Sequence, residues 1–304
     1  MNNNVYDRQV ALLLRVIPEI TVDSRLALHG GTAINLFVRD MPRLSVDIDL
    51  TYVPLEDRET SFANIAAALG EIRERVLKKV PGVNVEHKKD AHKLLVATKD
   101  ALVKVEVSQI VRGVIGTVEE KPLCGRAQER FDSFSAIAVV PHGQLYGGKV
   151  CAAMDRQHPR DIFDVKYLLA NEGFTEAVKK GFLFRLLSSE RTVQDVLFPN
   201  RLDQRKAFEN QFVGMTEEPF TYEEYEAVRE TMIATVQGSI TEEDKAFILG
   251  VKNAQPDWTH YPFGGYPSIM WKQQNLLKLK ENNPAKHLEL YHSLERKLAR
   301  LQTK

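Results

Sequence analysis

The sequence is poor in cysteine and has no long apolar run. Only two of its 304 residues are cysteine, too few for a disulfide framework or a four-cysteine zinc site. No stretch approaches the roughly 18 apolar residues that a membrane helix needs. The apolar stretch near the start lacks a preceding basic region, so a secretory signal is not expected. These absences predict a cytoplasmic globular protein without a membrane partner.

The sequence also lacks a net charge, because 41 Lys and Arg residues balance 41 Asp and Glu residues. A general nucleic-acid binder is usually basic, so the total argues against one. The charges are unevenly distributed, however. Residues 201–250 hold 5 basic and 11 acidic residues, a net of −6, whereas residues 271–304 hold 8 basic and 3 acidic residues, a net of +5. The neutral total therefore excludes only a uniformly basic surface and leaves RNA open as a substrate.

The patterning that is present predicts an α+β chain. Short apolar runs alternate with helical periodicity through the first half, and strand patterns become scarce beyond about residue 172. We therefore predict a domain over residues 1–171 with a mixed sheet and helices. A mostly helical domain is predicted to follow over residues 172–304.

A pair of acidic residues stands out on a predicted strand over residues 46–52. Asp47 and Asp49 are separated by one residue, so their side chains lie on the same face of the strand. Two carboxylates that close repel each other unless a cation lies between them. Mg²⁺ is a hard ion that favours one or two carboxylates together with substrate phosphates. The pair therefore indicates a magnesium site, although an isolated Asp-x-Asp is more often two solvated aspartates.

A glycine pair precedes this strand, at Gly30 and Gly31, after a short apolar run. Thr32 is predicted to cap a helix that continues to Phe37. Glycines allow close approach of the backbone to a ligand, and the first turn of a helix favours anions. A plain turn is an equally common use of two glycines. Strand, glycine pair, helix and acidic strand in one short span together favour a nucleotide triphosphate site.

Several blocks of the sequence resemble the AbiEii-type nucleotidyltransferase toxins, which are members of the DNA polymerase β-like nucleotidyltransferase superfamily. The blocks are GGTAINLF from Gly30, RLSVDIDL from Arg43, YGGKVCAAM from Tyr146 and RDIFDV from Arg160. A weaker match is YPSIMWK from Tyr266. The resemblance implies a nucleotidyltransferase-like fold for the first domain and covers most of the chain.

The resemblance implies Mg²⁺-dependent transfer of a nucleotide from an NTP to an acceptor. In related toxins the acceptor is the 3′ end of tRNA, whose extension blocks translation, and a cognate antitoxin is encoded nearby. Two other functions stay open. The acceptor could be a protein hydroxyl, or the chain could be a nucleotide-binding module that has lost turnover.

The resemblance also implies roles for individual residues. The nucleotide would contact Gly30, Gly31, Thr32, Arg43, Ser45 and Lys149, and the metal would be held by Asp47 and Asp49. Lys149, which follows two glycines, matches a lysine that holds the NTP phosphates.

Two further carboxylates are candidates for the catalytic set. Asp161 would orient Lys149 or activate the acceptor hydroxyl, with an acid at a helix start as the ordinary alternative. Glu106 is a candidate third carboxylate on a neighbouring strand, with a salt-bridged strand glutamate as an equal alternative.

Overall fold

The computed structural model describes residues 5–301. Its strands are β1 (Leu26–His29), β2 (Asp47–Tyr52), β3 (Asn84–Lys88), β4 (Lys93–Ala97), β5 (Leu102–Val107), β6 (Glu119–Pro122) and β7 (Ala136–Val139). Its first helices are α1 (Val5–Ile20), α2 (Gly30–Thr32), α3 (Arg58–Lys79), α4 (Gly125–Phe131), α5 (His142–Arg156) and α6 (Pro159–Ala170). The remaining helices are α7 (Glu176–Ser188), α8 (Val193–Leu197), α9 (Arg205–Gln211), α10 (Tyr222–Gly238), α11 (Glu242–Lys252), α12 (Pro267–Asn282) and α13 (Pro284–Leu298). A π-helix, Ala33–Val38, follows α2, and a 3₁₀ turn, Lys89–Ala91, joins β3 to β4.

The strands form one mixed sheet with the order β3-β4-β5-β2-β1-β7-β6. β2 pairs in parallel with β5 and antiparallel with β1, and β1 pairs in parallel with β7. Every strand in the described range lies before residue 140, and helices make up the regular structure after it. The predicted α+β class, with a mostly helical later part, is therefore confirmed.

The two faces of the sheet differ because side chains alternate along each strand. On β5, Val103, Val105 and Val107 are fully buried, whereas Lys104 and Glu106 are half-buried on the opposite face. Helices α1 and α3 pack together and against the strands β3, β4 and β5. Helices thus cover the apolar face, and the polar face is available for a functional site.

Helix α3 is an example of the helical periodicity expected in the first half of the chain. It buries Ile65, Leu69, Ile72 and Val76 on one stripe, at spacings of three and four residues. Asp57 caps its start by accepting a hydrogen bond from the backbone N–H of Thr60. The helix ends at Lys79.

The chain divides into two compact units that are not simple halves of the sequence. The first contains residues up to 145 together with residues 206–220, and the second contains residues 146–205 and those from 221 onward. The division expected after residue 171 falls in the loop after α6, inside the second unit. A domain boundary at that position stays a prediction.

The second unit is held by buried aromatic side chains and by a buried ionic group. Phe184 packs edge-on against Phe263 and Tyr266, with ring centroids 5.3 and 4.8 Å away. Asp244 accepts a 2.6 Å hydrogen bond from the Tyr261 hydroxyl and pairs with Lys179 at 3.1 Å.

No helix among residues 5–301 has the length and apolar character needed to cross a bilayer.

Candidate active site

The acidic pair lies on the polar face of β2, as predicted. Asp47 is in register with Lys104 of β5, and Asp49 is in register with Glu106 of β5 and with His29 of β1. The Asp47 side chain keeps 37 % of its exposure, so a ligand can reach this carboxylate from solvent. The sheet register thus concentrates three carboxylates at neighbouring positions of one face.

The glycine turn lies directly against these side chains. Gly30 has a φ of +76°, and a Cβ atom there would lie 2.6 Å from Oδ2 of Asp49. A Cβ atom on Gly31 would lie 2.8 Å from Nη2 of Arg43 and 2.9 Å from Oγ of Ser45. A side chain at either position would displace a residue of the predicted site. The predicted need for close backbone approach thus has a geometric basis at both glycines.

Thr32 does not cap the helix, which begins at Gly30 rather than after Thr32. The prediction of a Thr32 cap is wrong because the threonine is fully buried and its hydroxyl is used elsewhere. That hydroxyl donates to the backbone carbonyl of Asp47 and lies 3.0 Å from Oγ of Ser45. Thr32 therefore fixes the start of β2 against the glycine turn.

The loop before β2 also turns its polar side chains inward. Arg43 is 3 % exposed and donates from Nη1 to the carbonyl of Leu44, and Ser45 is 7 % exposed. Both side chains lie against Gly31. The structure thus brings Gly31, Thr32, Arg43 and Ser45 together, on the side of the turn that supports Asp47 and Asp49.

Glu106 lies beside the acidic pair but is engaged by two lysines. Its Oε2 atom is 3.1 Å from Nζ of Lys93 and 3.3 Å from Nζ of Lys104. Burial alone would raise the pKa of the Glu106 carboxyl, but these two ammonium groups outweigh it and lower the pKa. A carboxylate with a lowered pKa is a weak base, so the contacts favour the salt-bridged alternative for Glu106.

Lys104 is a cation close to the acidic pair, with Nζ 4.0 Å from Oδ1 of Asp47. Burial alone would lower the pKa of the Lys104 ammonium, but Asp47, Asp49 and Glu106 together raise it. The lysine therefore stays charged and offsets part of the repulsion between the carboxylates. Lys104 is not among the residues predicted for the site. Its alternation with valines along β5 is the signal in the sequence that could have indicated it.

The donor set fits a divalent cation bound with substrate. Asp47 and Asp49 supply hard oxygen ligands on one strand face, and Gly30 leaves room at Asp49 that a Cβ would fill. No group of three or more His, Cys, Asp or Glu side chains arranged to hold a metal occurs within residues 5–301. Two protein carboxylates completed by phosphate oxygens and water match the habit of Mg²⁺ rather than a closed protein cage.

A second polar constellation lies in the other compact unit, on α5 and α6. Nζ of Lys149 is 2.8 Å from Oδ1 of Asp161 and 3.0 Å from Oδ2 of Asp164. Arg156 donates to the same Asp161 carboxylate, from Nε at 2.6 Å and from Nη2 at 3.1 Å. Lys149, Asp161 and Asp164 are all more than nine-tenths buried. One buried ammonium is therefore paired with two buried carboxylates, and the largely exposed Arg156 adds a second cation from the surface.

This constellation favours an orienting role for Asp161. Burial alone would raise the pKa of its carboxyl, but Lys149 and Arg156 hold the pKa below its ordinary value. A carboxylate so stabilised is a poor proton acceptor and a good anchor for the Lys149 ammonium. The sequence pattern predicted Asp161 and Lys149. It did not predict Arg156, because Arg156 is the last residue of α5 and Asp161 belongs to the next helix.

Of the two glycines before Lys149, only Gly147 serves helix packing. Both glycines lie inside α5, and Lys149 is in the middle of that helix. A Cβ atom on Gly147 would lie 2.2 Å from the backbone N of Phe182 in α7. Gly147 therefore permits backbone contact between α5 and α7, while Gly148 has open space around it.

Comparison with known proteins identifies a matching family and a similar solved structure. The family model for the nucleotidyl transferase AbiEii toxin of type IV toxin–antitoxin systems matches residues 11–275. Among solved structures, the chain is similar to MenT4, the nucleotidyltransferase toxin Rv2826c from Mycobacterium tuberculosis H37Rv. The TM-score is 0.59 at 15 % sequence identity, over 88 % of this chain and 93 % of that chain, and it shows likeness of fold. No curated protein matches the sequence.

Proposed function

The chain belongs to the AbiEii family of nucleotidyltransferase toxins, and we propose that it transfers nucleotides from an NTP to the 3′ end of tRNA with Mg²⁺. Such extension would block translation. Because the family is that of a type IV toxin–antitoxin system, a cognate antitoxin is the proposed protein partner. Action on tRNA implies a cytoplasmic location.

One observation carries the proposal, namely the placement of Asp47 and Asp49 against the glycine turn. Nucleotidyl transfer is an in-line displacement at the α-phosphorus, in which charge develops on the attacking and leaving oxygens. Bound Mg²⁺ supplies neutralisation of that charge and orients the phosphates. Asp47 and Asp49 would hold the ion, and Gly30 and Gly31 would keep the space beside it free for phosphate oxygens.

The surrounding residues have supporting parts in the proposal. Thr32 and Ser45 tie the turn to the first residue of β2, so that the two carboxylates are fixed before substrate arrives. Lys104 offsets the charge of the pair. Lys149 is proposed to contact the NTP phosphates, and its two aspartate partners set the direction of its side chain.

The direct test is incubation of the purified protein with tRNA and each labelled NTP, with and without Mg²⁺. We expect label on the 3′ end of tRNA that depends on Mg²⁺ and is lost in Asp49→Asn. Lys121→Met, which changes an exposed salt-bridged side chain on β6, is the matched control and should keep full activity.

The other outcomes separate the alternatives. Label on protein in place of RNA would move the proposal to a protein hydroxyl as acceptor. Binding of NTP with no label on any acceptor, and no difference between wild type and Asp49→Asn in cells, would leave a non-catalytic nucleotide-binding module. Glu106→Gln adds a separate readout, because a general base would lose activity while a salt-bridged strand residue would lose only stability.

A further inference from the structure

A cluster of basic side chains around one phenylalanine ring lies on the helix-covered face of the sheet, away from the acidic pair. Its members are Arg58 and Phe62 on α3, His92 before β4 and Arg112 after β5. The backbone N–H of Val107 donates to His92, and that of Gly113 donates to Tyr52 at the end of β2. Val107 alternates with Glu106, so this face is the one opposite to Asp49.

Arg112 is the unusual member of the cluster. It is only 5 % exposed, and its Nε atom is fully buried without a hydrogen-bond partner. Within residues 5–301, no ion pair and no hydrogen bond involves its guanidinium. Its one described side-chain contact is with the ring of Phe62, whose centroid lies 5.1 Å from Cζ.

The neighbours of Arg112 add positive charge and further unused donors or acceptors. Cζ of Arg58, an exposed residue, lies 5.0 Å from the centroid of the same Phe62 ring. His92 is 6 % exposed, meets that ring edge-on at 4.5 Å and has a fully buried Nδ1 without a partner. His87 nearby also has a buried Nε2 atom without a hydrogen-bond partner.

Two carboxylates act on the cluster. Asp57 is the acidic group whose charge acts on Arg112, and its carboxylate already accepts from the N–H and hydroxyl of Thr60. Burial, Arg112 and His87 each lower the pKa of His92, and Asp90 opposes them without reversing the shift.

A guanidinium whose Nε atom is buried without a partner is costly, because a polar group removed from water must be offset by a hydrogen bond. Ring stacking offsets only part of that cost. Guanidinium groups match the oxygens of phosphate in number and direction.

We propose that Arg112, Arg58 and His92 form a second binding site, for a phosphate group, on the face of the sheet opposite to Asp47 and Asp49. The phosphate can belong to a free phosphate compound or to a nucleic-acid backbone. The site needs no turnover, so it stands independently of the proposed reaction.

The first experiment measures thermal unfolding in inorganic phosphate and in NaCl of equal ionic strength. Phosphate should raise the Tm of the wild type by about 3 °C beyond NaCl, since a ligand that binds only the folded state stabilises it. Arg112→Met should lose that increment. In phosphate-free buffer the same variant should melt higher than the wild type, because an apolar side chain of similar length removes the unpaired charge.

The second experiment measures binding of a fluorescent single-stranded RNA of about 20 nucleotides, without NTP or Mg²⁺, over a series of salt concentrations. If the phosphate belongs to a nucleic-acid backbone, Arg112→Met lowers affinity and reduces the slope of log affinity against log salt by about 0.7. If RNA affinity is unchanged while the phosphate increment is lost, the ligand is a free phosphate compound.

Two further variants keep the proposal open to refutation. Arg58→Gln changes an exposed member of the site and should lose part of the phosphate increment even if Arg112→Met fails to fold. Lys78→Met removes an exposed cation from the last turn of the same helix and should keep the whole increment. Equal phosphate increments in wild type, Arg58→Gln and Arg112→Met would overturn the proposal and leave Arg112 as a packing residue over Phe62.

Discussion

At the scale of single residues, the proposed site requires a residue without a side chain at Gly30. Its positive φ and its contact with Asp49 both oppose a side chain. Gly30→Ala should therefore lower nucleotidyl transfer by about a hundredfold through displacement of the carboxylate. The cost in stability should be about 1 kcal/mol, measured by urea unfolding beside the labelled-nucleotide assay.

A matched control separates backbone strain from displacement of Asp49. Gly82 has a φ of +75° and open space around it, so Gly82→Ala has the same backbone cost without the clash. It should lose similar stability and keep its activity. Equal losses of activity in both variants would contradict the role of the Gly30 contact.

Lys272 gives a prediction for the dependence of stability on pH. Burial and the charge of Lys252 lower the pKa of its ammonium to about 8, and Nζ donates to the carbonyl of Ser189 at 2.8 Å. The unfolded chain then binds more protons than the folded one between about pH 8 and 10.5. The free energy of unfolding attributable to this group should rise with pH there, by at most about 1.4 kcal/mol per pH unit.

The measurement is urea unfolding at several pH values for the wild type and Lys272→Met. The rise attributed to Lys272 should be missing in this variant, whatever its absolute stability. Lys278→Met, on the exposed side of the same helix, should keep the wild-type slope. A slope that survives in Lys272→Met would show that another group titrates.

At the scale of elements, the contact of α5 with α7 passes through Gly147. A Cβ atom there would overlap the backbone of Gly181 and Phe182 at 2.2 to 2.6 Å. Gly147→Ala should destabilise the protein by about 3 kcal/mol or more, because backbone atoms cannot rotate away. The adjacent Gly148→Ala should instead stabilise by about 0.5 to 1 kcal/mol, since alanine favours helix and has room. Thermal unfolding of the pair would test the contact, and similar effects would disprove it.

The segment 206–220 supports the loop that carries Arg43 and Ser45. The carbonyl of Met215 accepts from the N–H of Leu44 at 2.7 Å, and the hydroxyl of Thr216 donates to the carbonyl of Pro42 at 3.0 Å. Thr216→Val should loosen that loop and raise the KM for NTP about two- to tenfold with a smaller effect on kcat.

The control for this loop is Thr231→Val, which removes an exposed hydroxyl that donates to a carbonyl within α10. It should leave KM unchanged. A change of kcat alone in Thr216→Val, or the same KM change in both variants, would argue against support of the proposed nucleotide-binding loop by residues 206–220.

Local patterns predicted the elements whose periodicity reflects burial. The alternation in β2 and β5 and the stripe on α3 were readable because each buries one face. β6 was missed because Glu119–Pro122 is polar and mostly exposed, so its pairing with β7 leaves no apolar signal. The Thr32 cap was wrong because a long-range bond to the Asp47 carbonyl decides its position.

The residues of the candidate site fall into two groups, those that local spacing predicts and those that depend on long-range contacts. Asp47 and Asp49 could be placed on one face from their spacing alone, and the i, i+3 spacing placed Asp161 beside Asp164. The bidentate contact of Arg156 and the burial of Arg43 depend on contacts across loops and helix ends. Sequence spacing carries no information about such contacts.

At the scale of the whole molecule, the division into units is discontinuous in sequence. Residues 206–220 belong to the first unit, where Phe212 and Met215 are almost fully buried. A fragment ending at residue 145 would therefore expose an incomplete core. It should be poorly folded alone and gain stability when a peptide of residues 206–220 is added, as followed by circular dichroism.

A scrambled peptide of the same composition is the control for that experiment. Full stability of the fragment without any peptide would contradict the discontinuous unit.

Part of the positive charge of residues 271–304 is used in contacts within the second unit. Lys272 and Lys280 donate to backbone carbonyls of Ser189 and Asn253, so they hold the second unit together as well as carrying charge.

The late position of residues 206–220 has a consequence for synthesis on the ribosome. At about 5 to 20 residues per second, synthesis of the last strand of the first unit is complete roughly 4 to 16 s before residue 220 is added. Until then Leu44 and Pro42 lack their partners, and the loop that holds Arg43 and Ser45 is unsupported. The proposed site is thus incomplete while the chain is being translated, and it can form only when most of the chain has been made.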